Sequence, residues 1–372
     1  MPGTIQTEKI GKLGFGYMRL PRKGDGFDMD QINKMADKFI ESGGTYFDAA
    51  YVYEGAEVAL RETVIKRYPR DSVQIATKLN LHFVEKTEQL SEQFNTSLER
   101  LGTDYIDFYL LHGLNAMASK KAEELGAWKY LADLKEKGLI RHMGFSFHAP
   151  PEDLDEILSK HPEAEFVQIQ LNYLDWDDPK VQSRGMYEVA RKYNVPIIIM
   201  EPLKGGMLSA DGSPITALLR EADPNASLAS WALRFAASLD GVFVTLSGMS
   251  AYDQLEDNVK TFADFKPLTD DDKVLLKKAV EIFNAVPRIP CTTCRYCVKD
   301  CPQKIMIPNL IDMYNSYLVY NTTTNLDHGY RMWTRNGGKA GDCVACRVCE
   351  GICPQKLEIV DTLSKVSALF DK

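Results

Sequence analysis

The sequence predicts an α/β fold in which a (β/α)8 TIM barrel is followed by a small second domain. Three observations lead to this prediction. A chain of 372 residues is longer than one average domain and fits one large domain with a smaller one. Short apolar runs alternate with amphipathic stretches up to residue 285, and all eight cysteines come after residue 290. A Pro-containing linker at residues 284–290 separates the two parts, so we expect a barrel at residues 1–285 and a cysteine-rich domain at residues 286–372.

Eight apolar runs are predicted to be the strands of the barrel. Each is nearly continuous in apolar character, which suits strands buried on both faces, as in a parallel sheet. Helical stretches separate the runs, which favours a closed TIM barrel over the alternative, an open doubly wound sheet. No GxGxxG motif follows the first run, so the alternative lacks its dinucleotide-binding fingerprint. In chain order the runs are Leu13–Arg19, Tyr46–Ala50, Val73–Lys78, Ile106–His112, His142–Phe147, Phe166–Leu171, Val195–Met200 and Val242–Leu246.

The stretches between these runs have the spacing of amphipathic helices. In the first of them, Asp28–Gly44, the apolar residues recur on one helical face. Asp28 followed three residues later by Gln31 is typical of a helix N-terminus, and two glycines end the stretch. Similar stretches are Thr87–Leu101, Leu125–Lys137, Pro151–Lys160, Pro179–Tyr193 and Ser227–Ser238.

Composition and charge exclude several classes of function. The formal net charge of −8 and the lack of a Lys/Arg-rich run argue against nucleic acid as the main partner. The longest apolar runs have the length of a strand, so we expect no membrane span. The first residues lack the apolar segment of a secretory signal. We therefore expect a cytoplasmic protein.

The cysteines form an internal repeat, CTTCRYCVKDCPQKIMI from Cys291 and CVACRVCEGICPQKLEI from Cys343. Each copy reads C-x2-C-x2-C-x3-C-P. Two-residue spacers turn successive thiolates towards one face of an iron–sulfur cube. The alternatives are structural zinc, which usually takes pairs of C-x2-C, and disulfides, which are typical of short secreted chains. The pattern therefore predicts two [4Fe–4S] clusters.

This segment resembles the bacterial two-cluster ferredoxins. In those proteins the fourth cysteine of each run ligates the other cluster. The 41 residues between Cys301 and Cys343 contain a helical stretch, Ile307–Tyr320, and a polar loop, Asn321–Asp342, and look more like the mainly α-helical ferredoxin variant than the compact β-rich one. The resemblance implies one cluster on Cys291, Cys294, Cys297 and Cys353, and a second on Cys343, Cys346, Cys349 and Cys301. The basic residues near these thiolates either offset the clusters' charge or form a solvated face: Arg295, Lys299, Lys304, Arg347 and Lys356.

Polar residues at the ends of the barrel strands are a second set of candidates, because the chemistry of TIM barrels lies at these ends. Asp48 lies in the second run and Tyr53 follows it, Lys78 ends the third and His112 ends the fourth. A lysine that ends an apolar strand needs a carboxylate partner. A nearby Lys⁺ lowers the pKa of a tyrosine, so that the phenol gives up its proton more readily. A histidine there is suited to orienting a carbonyl oxygen.

These four residues, in this order, resemble the catalytic tetrad of the aldo-keto reductase family, and the resemblance extends over residues 10–265. It implies that Tyr53 protonates a carbonyl oxygen as NAD(P)H delivers a hydride. It also implies that Lys78 and Asp48 activate Tyr53, and that His112 orients the substrate.

The resemblance further implies a site for NADP(H) or NAD(H). Phe147 stands where the family usually has Asn, and Met200 where an aromatic side chain is usual. Gly248 and Gln254 stand where many NADPH-preferring members have Lys and Arg, so the choice of nucleotide stays open. The implied cofactor contacts are Ser146 and Gln168 for the carboxamide, Met200, Pro202 and Leu203 beside the nicotinamide, and Ser247, Gly248, Met249, Gln254, Asp257 and Asn258 on the pyrophosphate and adenine side. Candidates to line the substrate pocket, with core packing or solvent exposure as the alternative, are His148, Tyr173 and Trp176.

The leading hypothesis is an NAD(P)H-dependent oxidoreductase that reduces a small-molecule carbonyl or oxidises the corresponding alcohol. One alternative is an iron–sulfur electron-transfer protein whose barrel binds a redox partner or an unusual substrate and performs no hydride transfer. Another is that the clusters are purely structural. Clusters pass single electrons while nicotinamide passes a hydride, and no flavin motif is visible, so a ferredoxin or flavodoxin is a candidate partner. We also expect the second domain to take the place of the family's C-terminal loop, which closes over the substrate pocket.

Overall fold

The computed structural model describes Ile5 and residues 10–371, which form two compact units. The first unit comprises the described residues up to Leu203 together with Ser230–Thr269. The second comprises Lys204–Ala229 and the residues from Asp270 onward. The division into residues 1–285 and 286–372 stays a prediction, while the helix Asp270–Ala285 lies in the second unit.

The first unit is a closed barrel of eight parallel strands, which confirms the predicted (β/α)8 architecture. Around the barrel the strands follow the order β1-β10-β9-β8-β7-β6-β5-β4, and β1 pairs with β4 to close it. The barrel strands are β1 (Leu13–Gly16), β4 (Tyr46–Asp48), β5 (Gln74–Leu79), β6 (Ile106–Leu114), β7 (Ile140–Phe147), β8 (Phe166–Gln170), β9 (Ile197–Met200) and β10 (Val242–Gly248). A short antiparallel hairpin, β2 (Arg22–Lys23) and β3 (Gly26–Phe27), follows β1.

Helices follow most of the barrel strands and continue into the second unit. Within the described residues they are α1 (Met29–Glu41), α2 (Ala56–Leu60), α3 (Glu88–Leu101), α4 (Ala116–Glu124), α5 (Ala127–Glu136), α6 (Pro151–Lys160), α7 (Ser183–Lys192), α8 (Thr216–Ala222), α9 (Leu228–Ala237), α10 (Tyr252–Ala263), α11 (Asp270–Ala285), α12 (Tyr296–Lys299), α13 (Ile307–Tyr320), α14 (Leu326–Thr334), α15 (Val348–Ile352) and α16 (Ile359–Phe370). At the start of α1, the Asp28 side chain accepts a hydrogen bond from the Gln31 amide, as the cap prediction requires.

Aromatic side chains fill the interior of the barrel. The ring of Phe108 on β6 lies 5.1 Å from that of Tyr46 on β4 and 5.2 Å from that of Phe166 on β8, measured between centroids. All three side chains are fully buried. Because this layer closes the interior, polar side chains can gather only at an end of the barrel. The parallel strands bring their C-terminal ends, and the residues that follow them, to one such end.

The second unit is mainly helical, as predicted, and has its own apolar core. Helices α13 and α16 supply much of this core, including Leu310 and Val366. The segment after β9 belongs to this unit as well. Met207 packs against its core, and the Asn321 side chain donates a 3.1 Å hydrogen bond to the carbonyl oxygen of Gly212.

One prediction for this unit is wrong. The stretch Asn321–Asp342 was expected to be a polar loop, but its middle forms α14. Leu326 and Tyr330 lie one turn apart on this helix and are both buried in the core. These two anchors at helical spacing, with Trp333 packed against the same core, order an otherwise polar segment. Within the described part of the chain, no helix combines the length and apolar character needed to cross a membrane.

Candidate active site and cluster sites

The ends of neighbouring strands bring a buried ion pair together. Asp48 is the last residue of β4, and Lys78 lies near the end of β5, the next strand around the barrel. The Lys78 ammonium donates hydrogen bonds to Asp48 Oδ1 at 2.5 Å and to the carbonyl oxygen of Ala49 at 2.7 Å. Both charged side chains are buried. The predicted carboxylate partner of Lys78 is thus in place.

Tyr53 and His112 lie beside this ion pair. The Lys78 ammonium is 5.1 Å from the centroid of the Tyr53 ring. The Tyr53 and His112 rings meet edge to face, with centroids 5.8 Å apart and an interplanar angle of 84°. Four side chains that the sequence places on three strands and one loop therefore meet at the C-terminal end of the barrel.

The electrostatics of the group favour a charged Lys78 and a protonated Tyr53. Burial lowers the pKa of Lys78, but Asp48 and Tyr53 together outweigh it, and the net shift is upward. Burial raises the pKa of Asp48, against the opposing pull of Lys78. For Tyr53, burial is again the largest effect and raises the pKa, while Lys78 lowers it. The lysine acts in the direction expected from the sequence, but burial outweighs it, so Tyr53 carries its proton at neutral pH.

His112 is a neutral imidazole at physiological pH. Burial, then the nearby Lys78 charge and His148, lower its pKa from 6.5 to about 3. Among the residues that the structure describes, its Nδ1 has no hydrogen-bond partner. A neutral ring with an unengaged nitrogen can exchange a hydrogen bond with a bound molecule without changing its charge.

Replacing His112 with Gln is expected to reduce the fall in the free energy of unfolding as the pH becomes acidic. Between pH 6.5 and 3 the unfolded chain binds a proton at His112 that the folded chain excludes, so the free energy of unfolding falls as the pH falls through this window. The loss at this one site is about 2 kcal/mol between pH 7.5 and pH 5. Urea unfolding of wild type and His112→Gln at both pH values measures it. An equal loss in the two proteins would contradict the assignment.

The residues implied for the carboxamide lie on adjacent strands. Ser146 on β7 and Gln168 on β8 are paired in register, and both are buried. The Ser146 hydroxyl accepts a 2.8 Å hydrogen bond from the Gly113 amide, which leaves its own proton free to donate. Within the described residues, Gln168 Oε1 is buried without a hydrogen-bond partner. Met200 ends β9, and Pro202 and Leu203 follow it, so these residues also lie at the C-terminal end.

The residues implied for the pyrophosphate and adenine side gather where β10 meets α10. Asn258 donates a 2.9 Å hydrogen bond to the Ser247 hydroxyl, and both side chains are buried. Met249 is buried, whereas Gly248 and Gln254 are exposed. Gln254 accepts a 2.9 Å hydrogen bond from the Ser250 amide. Asp257 is half-buried on the second turn of α10.

Sequence reasoning missed two charged residues at this end of the barrel, Arg19 and Glu201. β1 lies beside β10, with Gly16 in register with Gly248. The side chain of Arg19, three residues further on, packs along Gly248, where an added Cβ would lie 3.6 Å from the Cβ of Arg19. Arg19 and Glu201 form an ion pair at 3.7 Å. The closed barrel was itself the missing signal, because closure makes the first and last strands neighbours.

The aromatic candidates for the substrate pocket pack instead against the barrel's helices. The rings of Tyr173 and Trp176 both contact Phe235 of α9, with centroids 6.2 and 5.6 Å apart. His148 is exposed, and its imidazole hydrogen-bonds to Gln170. His148 interacts electrostatically with two members of the tetrad, His112 and Lys78.

In the second unit the cysteines line two cavities. Apolar side chains, Ile311 and Leu363 among them, complete the walls. No group of His, Cys, Asp or Glu among the described residues is arranged around a single metal ion. The first cavity is lined by Cys291, Cys294, Cys297 and Cys353, and the second by Cys301, Cys343, Cys346 and Cys349. Two sets of four thiols with apolar walls fit the donor set of [4Fe–4S] clusters, and the sets are the crossed ones that the resemblance implies.

The backbone of the two repeats is strained at the same positions. A left-handed conformation is rare for residues other than glycine and costs about 1 kcal/mol each. Its recurrence at equivalent residues indicates a shared constraint. Alternating left- and right-handed residues turn successive N–H groups inward into a concave nest for anions, as in many iron–sulfur sites. The equivalent pairs are Thr293 and Ala345, Arg295 and Arg347, and Lys304 and Lys356.

Replacing Gly338 with Ala is expected to reduce cluster content. A Cβ at this position would collide with the carbonyl oxygen of Gln303, in the loop that follows Cys301. Such overpacking costs about 1–3 kcal/mol and displaces the loop. Iron content per chain and visible absorbance measure the effect. Gly351→Ala is the matched control, because a Cβ there meets nothing within 4 Å. Equal iron content in the two variants would contradict this account of the loop.

Two family models match this chain. The model of the aldo/keto reductase family matches residues 12–281, and that of the 4Fe-4S dicluster domain matches residues 290–357. Aldo-keto reductase str7 of Strobilurus tenacellus is 29% identical over 223 residues, which cover 55% of this chain and 63% of that protein. The uncharacterized oxidoreductase C215.11c of Schizosaccharomyces pombe is 28% identical over 277 residues, which cover 69% of this chain and 84% of that protein. The match thus spans just under two thirds of the first relative and more of the second.

Solved structures show the same barrel. Aldo-keto reductase AKR11C1 from Bacillus halodurans, in its holo form, aligns with a TM-score of 0.59 and 26% identity over 72% of this chain and 92% of that chain. An aldo/keto reductase from Klebsiella pneumoniae, in complex with NADP and acetate, aligns with a TM-score of 0.60 and 19% identity over 73% and 92% of the two chains. At that identity the second likeness shows the fold alone.

Proposed function

Because this chain belongs to the aldo/keto reductase family of NAD(P)H-dependent oxidoreductases and carries a fused 4Fe-4S dicluster domain, we propose that its barrel reduces the carbonyl group of a small molecule, or oxidises the corresponding alcohol. The observation that carries this proposal is the meeting of Tyr53 and His112 with the buried ion pair of Lys78 and Asp48. The arrangement offers a proton donor, a fixed positive charge and a neutral orienting group at one point.

Tyr53 supplies the proton in the proposed reaction. When bound, reduced nicotinamide supplies a hydride to the carbonyl carbon. The Tyr53 hydroxyl then donates its proton to the carbonyl oxygen, which becomes the alcohol. Lys78, held by Asp48 and the Ala49 carbonyl, stabilises the phenolate that remains until solvent returns a proton. In alcohol oxidation the same groups move the proton in the opposite direction.

His112 positions the substrate oxygen. Its low pKa keeps the ring neutral, so it donates or accepts a hydrogen bond without competing with Tyr53 for the proton. The Ser146 hydroxyl proton and Gln168 Oε1 are suited to hold a carboxamide, which both donates and accepts hydrogen bonds. These residues would orient the nicotinamide when it is bound.

We further propose that Arg19 selects NADPH over NADH. No cation stands at Gly248 or Gln254, but the side chain of Arg19 lies along Gly248 and brings its positive charge to the region implied for the dinucleotide phosphates. A guanidinium suits phosphate oxygens because it donates two parallel hydrogen bonds.

Replacing Arg19 with Gln is expected to weaken NADPH binding by about tenfold, the scale of one charge-assisted hydrogen bond, and to leave NADH binding within about twofold. Quenching of protein fluorescence on nucleotide titration gives both dissociation constants. Lys23→Gln, an exposed charge removed from the hairpin after β1, is the matched control. If the binding of NADPH and NADH weakens equally, Arg19 contacts the part that the two nucleotides share, and if neither changes, it contacts neither nucleotide.

For the second unit we propose two [4Fe–4S] clusters on the two cysteine sets, acting as a one-electron relay with a ferredoxin or flavodoxin as partner. The clusters also have a structural role, since the ligands Cys297, Cys349 and Cys353 are themselves buried in the core of the unit. Clusters with exposed ligands such as Cys346 suit a reducing compartment, and we propose the cytoplasm.

Anaerobic titration of the cluster-loaded protein with NADPH and NADH, followed by a panel of aldehydes and ketones, tests the proposed barrel chemistry. We expect nucleotide binding and carbonyl-dependent oxidation of the bound nucleotide. A protein that binds neither nucleotide but exchanges electrons with a ferredoxin would be the iron–sulfur electron-transfer protein instead.

A further inference from the structure

The two cysteine repeats have the same cysteine spacing but differ in the side chains that they expose to solvent. The residue after the first cysteine is Thr292 in the first repeat and Val344 in the second. The residue before the fourth cysteine is Asp300 in the first repeat and Ile352 in the second. At both positions the second repeat carries an apolar side chain where the first carries a polar one.

These apolar side chains are exposed and lie close to one another. Val344, Val348 and Ile352, here termed the second-repeat patch, are 57%, 43% and 37% exposed. Val348 and Ile352 lie four residues apart on α15, which places them on the same face. Val344 and Val348 also line the second cysteine cavity, beside the exposed ligand Cys346. Two of the three patch residues therefore border the second cluster site.

Positive charge surrounds the patch. Arg347 is exposed and lines the second cavity. Lys304 is exposed as well, and the residue before it, Gln303, lines the same cavity. The Lys356 ammonium reaches the carbonyl oxygen of Gly351, next to Ile352. Carboxylates lie near the second cavity too, and those of Glu358 and Asp361, within two residues of the lining residue Val360, are exposed. That of Glu350 is mostly buried, paired with Arg347 and bonded to the Val360 amide, and that of Asp342 accepts from the Lys339 amide. The exposed charges directly beside the patch residues, Arg347 next to Val348 and Lys356 beside Gly351, are thus positive, in a chain whose formal net charge is −8.

We propose that the second-repeat patch is the docking surface for a small acidic one-electron carrier protein. The proposal rests on the clusters proposed above and adds where the partner binds and which cluster it meets. An apolar centre with a charged rim is the usual plan of a transient interface, and opposite charge speeds the encounter of the two proteins. At each encounter one electron passes between the cluster of the second repeat and the cluster or flavin of the partner. The donor is oxidised and the acceptor is reduced, with no bond made or broken.

The first repeat is poorly suited to be a second docking site, although it has basic residues of its own, Arg295 and Lys299. Of the three positions equivalent to the patch only Tyr296 is apolar and exposed, because the other two hold Thr292 and Asp300. A single exposed aromatic side chain is common on protein surfaces. The asymmetry between the repeats therefore points to one docking site and not two.

The test introduces residues of the first repeat at the equivalent positions of the second repeat. The double variant Val344→Thr with Ile352→Asp gives the second repeat the residues of the first. The probe is a purified acidic two-cluster ferredoxin, titrated anaerobically into the cluster-loaded protein at low salt by isothermal calorimetry. We expect binding about tenfold weaker than that of the wild type, because an apolar centre is lost and a negative charge faces an acidic partner. Val274→Thr removes an exposed apolar side chain from α11 and should leave the affinity unchanged.

Two readouts separate this proposal from its alternatives. Iron content shows whether the double variant still holds its clusters; if it does not, the single variant Val344→Thr, with an expected loss of about threefold, replaces it. Equal affinity of wild type and variant with full iron content would overturn the proposal. So would a wild-type dimer, seen by sedimentation, that the variant lacks, since the patch would then bind a second copy of this chain. Carbonyl reduction should be the same in wild type and variant, so loss of docking and failure of the barrel chemistry are distinguishable.

Discussion

Tyr53→Phe is expected to lower the turnover of carbonyl reduction by about a thousandfold, the usual range for a lost general acid. The substitution removes one oxygen atom and leaves the ring beside Lys78 and His112. No other side chain that donates a proton at neutral pH belongs to this group, because Lys78 is engaged by Asp48 and Ala49, and His112 is uncharged. The measurement is kcat with saturating nucleotide and the best carbonyl of the panel.

Two controls make this result interpretable. The dissociation constant of NADPH should change by less than about threefold, because Tyr53 is not among the residues implied to hold the nucleotide. Tyr51→Phe, two residues away in the same loop, should keep nearly full turnover, since the Tyr51 ring packs under Arg100 and not against Lys78. A Tyr53→Phe enzyme that keeps more than about a tenth of wild-type turnover would remove Tyr53 from the role of acid.

The second large effect is expected at Cys353. This residue belongs to the second repeat but lines the cavity of the first, together with Cys291, Cys294 and Cys297. Cys353→Ser should therefore cost the cluster of the first repeat. The loss of this cluster is expected to be severe, because Cys353 is buried in the core of the unit and because a bound cluster contributes directly to folding.

Pairs of variants reveal whether the ligands cross. If they do, Cys353→Ser and Cys297→Ser remove the same cluster, and Cys301→Ser and Cys349→Ser remove the other. Electron paramagnetic resonance of the reduced proteins should then give one residual spectrum for the first pair and a different one for the second. Iron content should fall by about half in each variant. A Cys353→Ser spectrum that matches Cys349→Ser would show that each repeat holds its own cluster.

Most of the fold could be predicted from the sequence because it follows from short-range patterns. Strands buried on both faces need runs such as Phe166–Leu171, and the observed strand Phe166–Gln170 ends within one residue of this range. The meeting of the four side chains of the candidate site was predictable for a related reason. Parallel strands bring their C-terminal ends together, so residues as far apart in sequence as Asp48 and His112 become neighbours once the barrel is known.

What could not be predicted depends on packing between distant segments. Nothing in the sequence near α14 shows that Leu326 and Tyr330 have a core to enter, because that core comes from α13 and α16. The place of Arg19 depends on which strand closes the barrel against β1. The pKa of Tyr53 depends on how deeply the surrounding loops bury it, and here burial exceeds the effect of the lysine that the sequence does reveal.

The fate of the hydride tests the central claim most directly. NADPH with both hydrogens at C4 of the nicotinamide replaced by deuterium is incubated with the cluster-loaded protein and its best carbonyl, and the alcohol is analysed by mass spectrometry. Direct transfer at the site of Tyr53 predicts one deuterium on the carbinol carbon of each product molecule. Product without deuterium, formed at the same rate, would mean that the electrons reach the substrate by another route and would contradict the account.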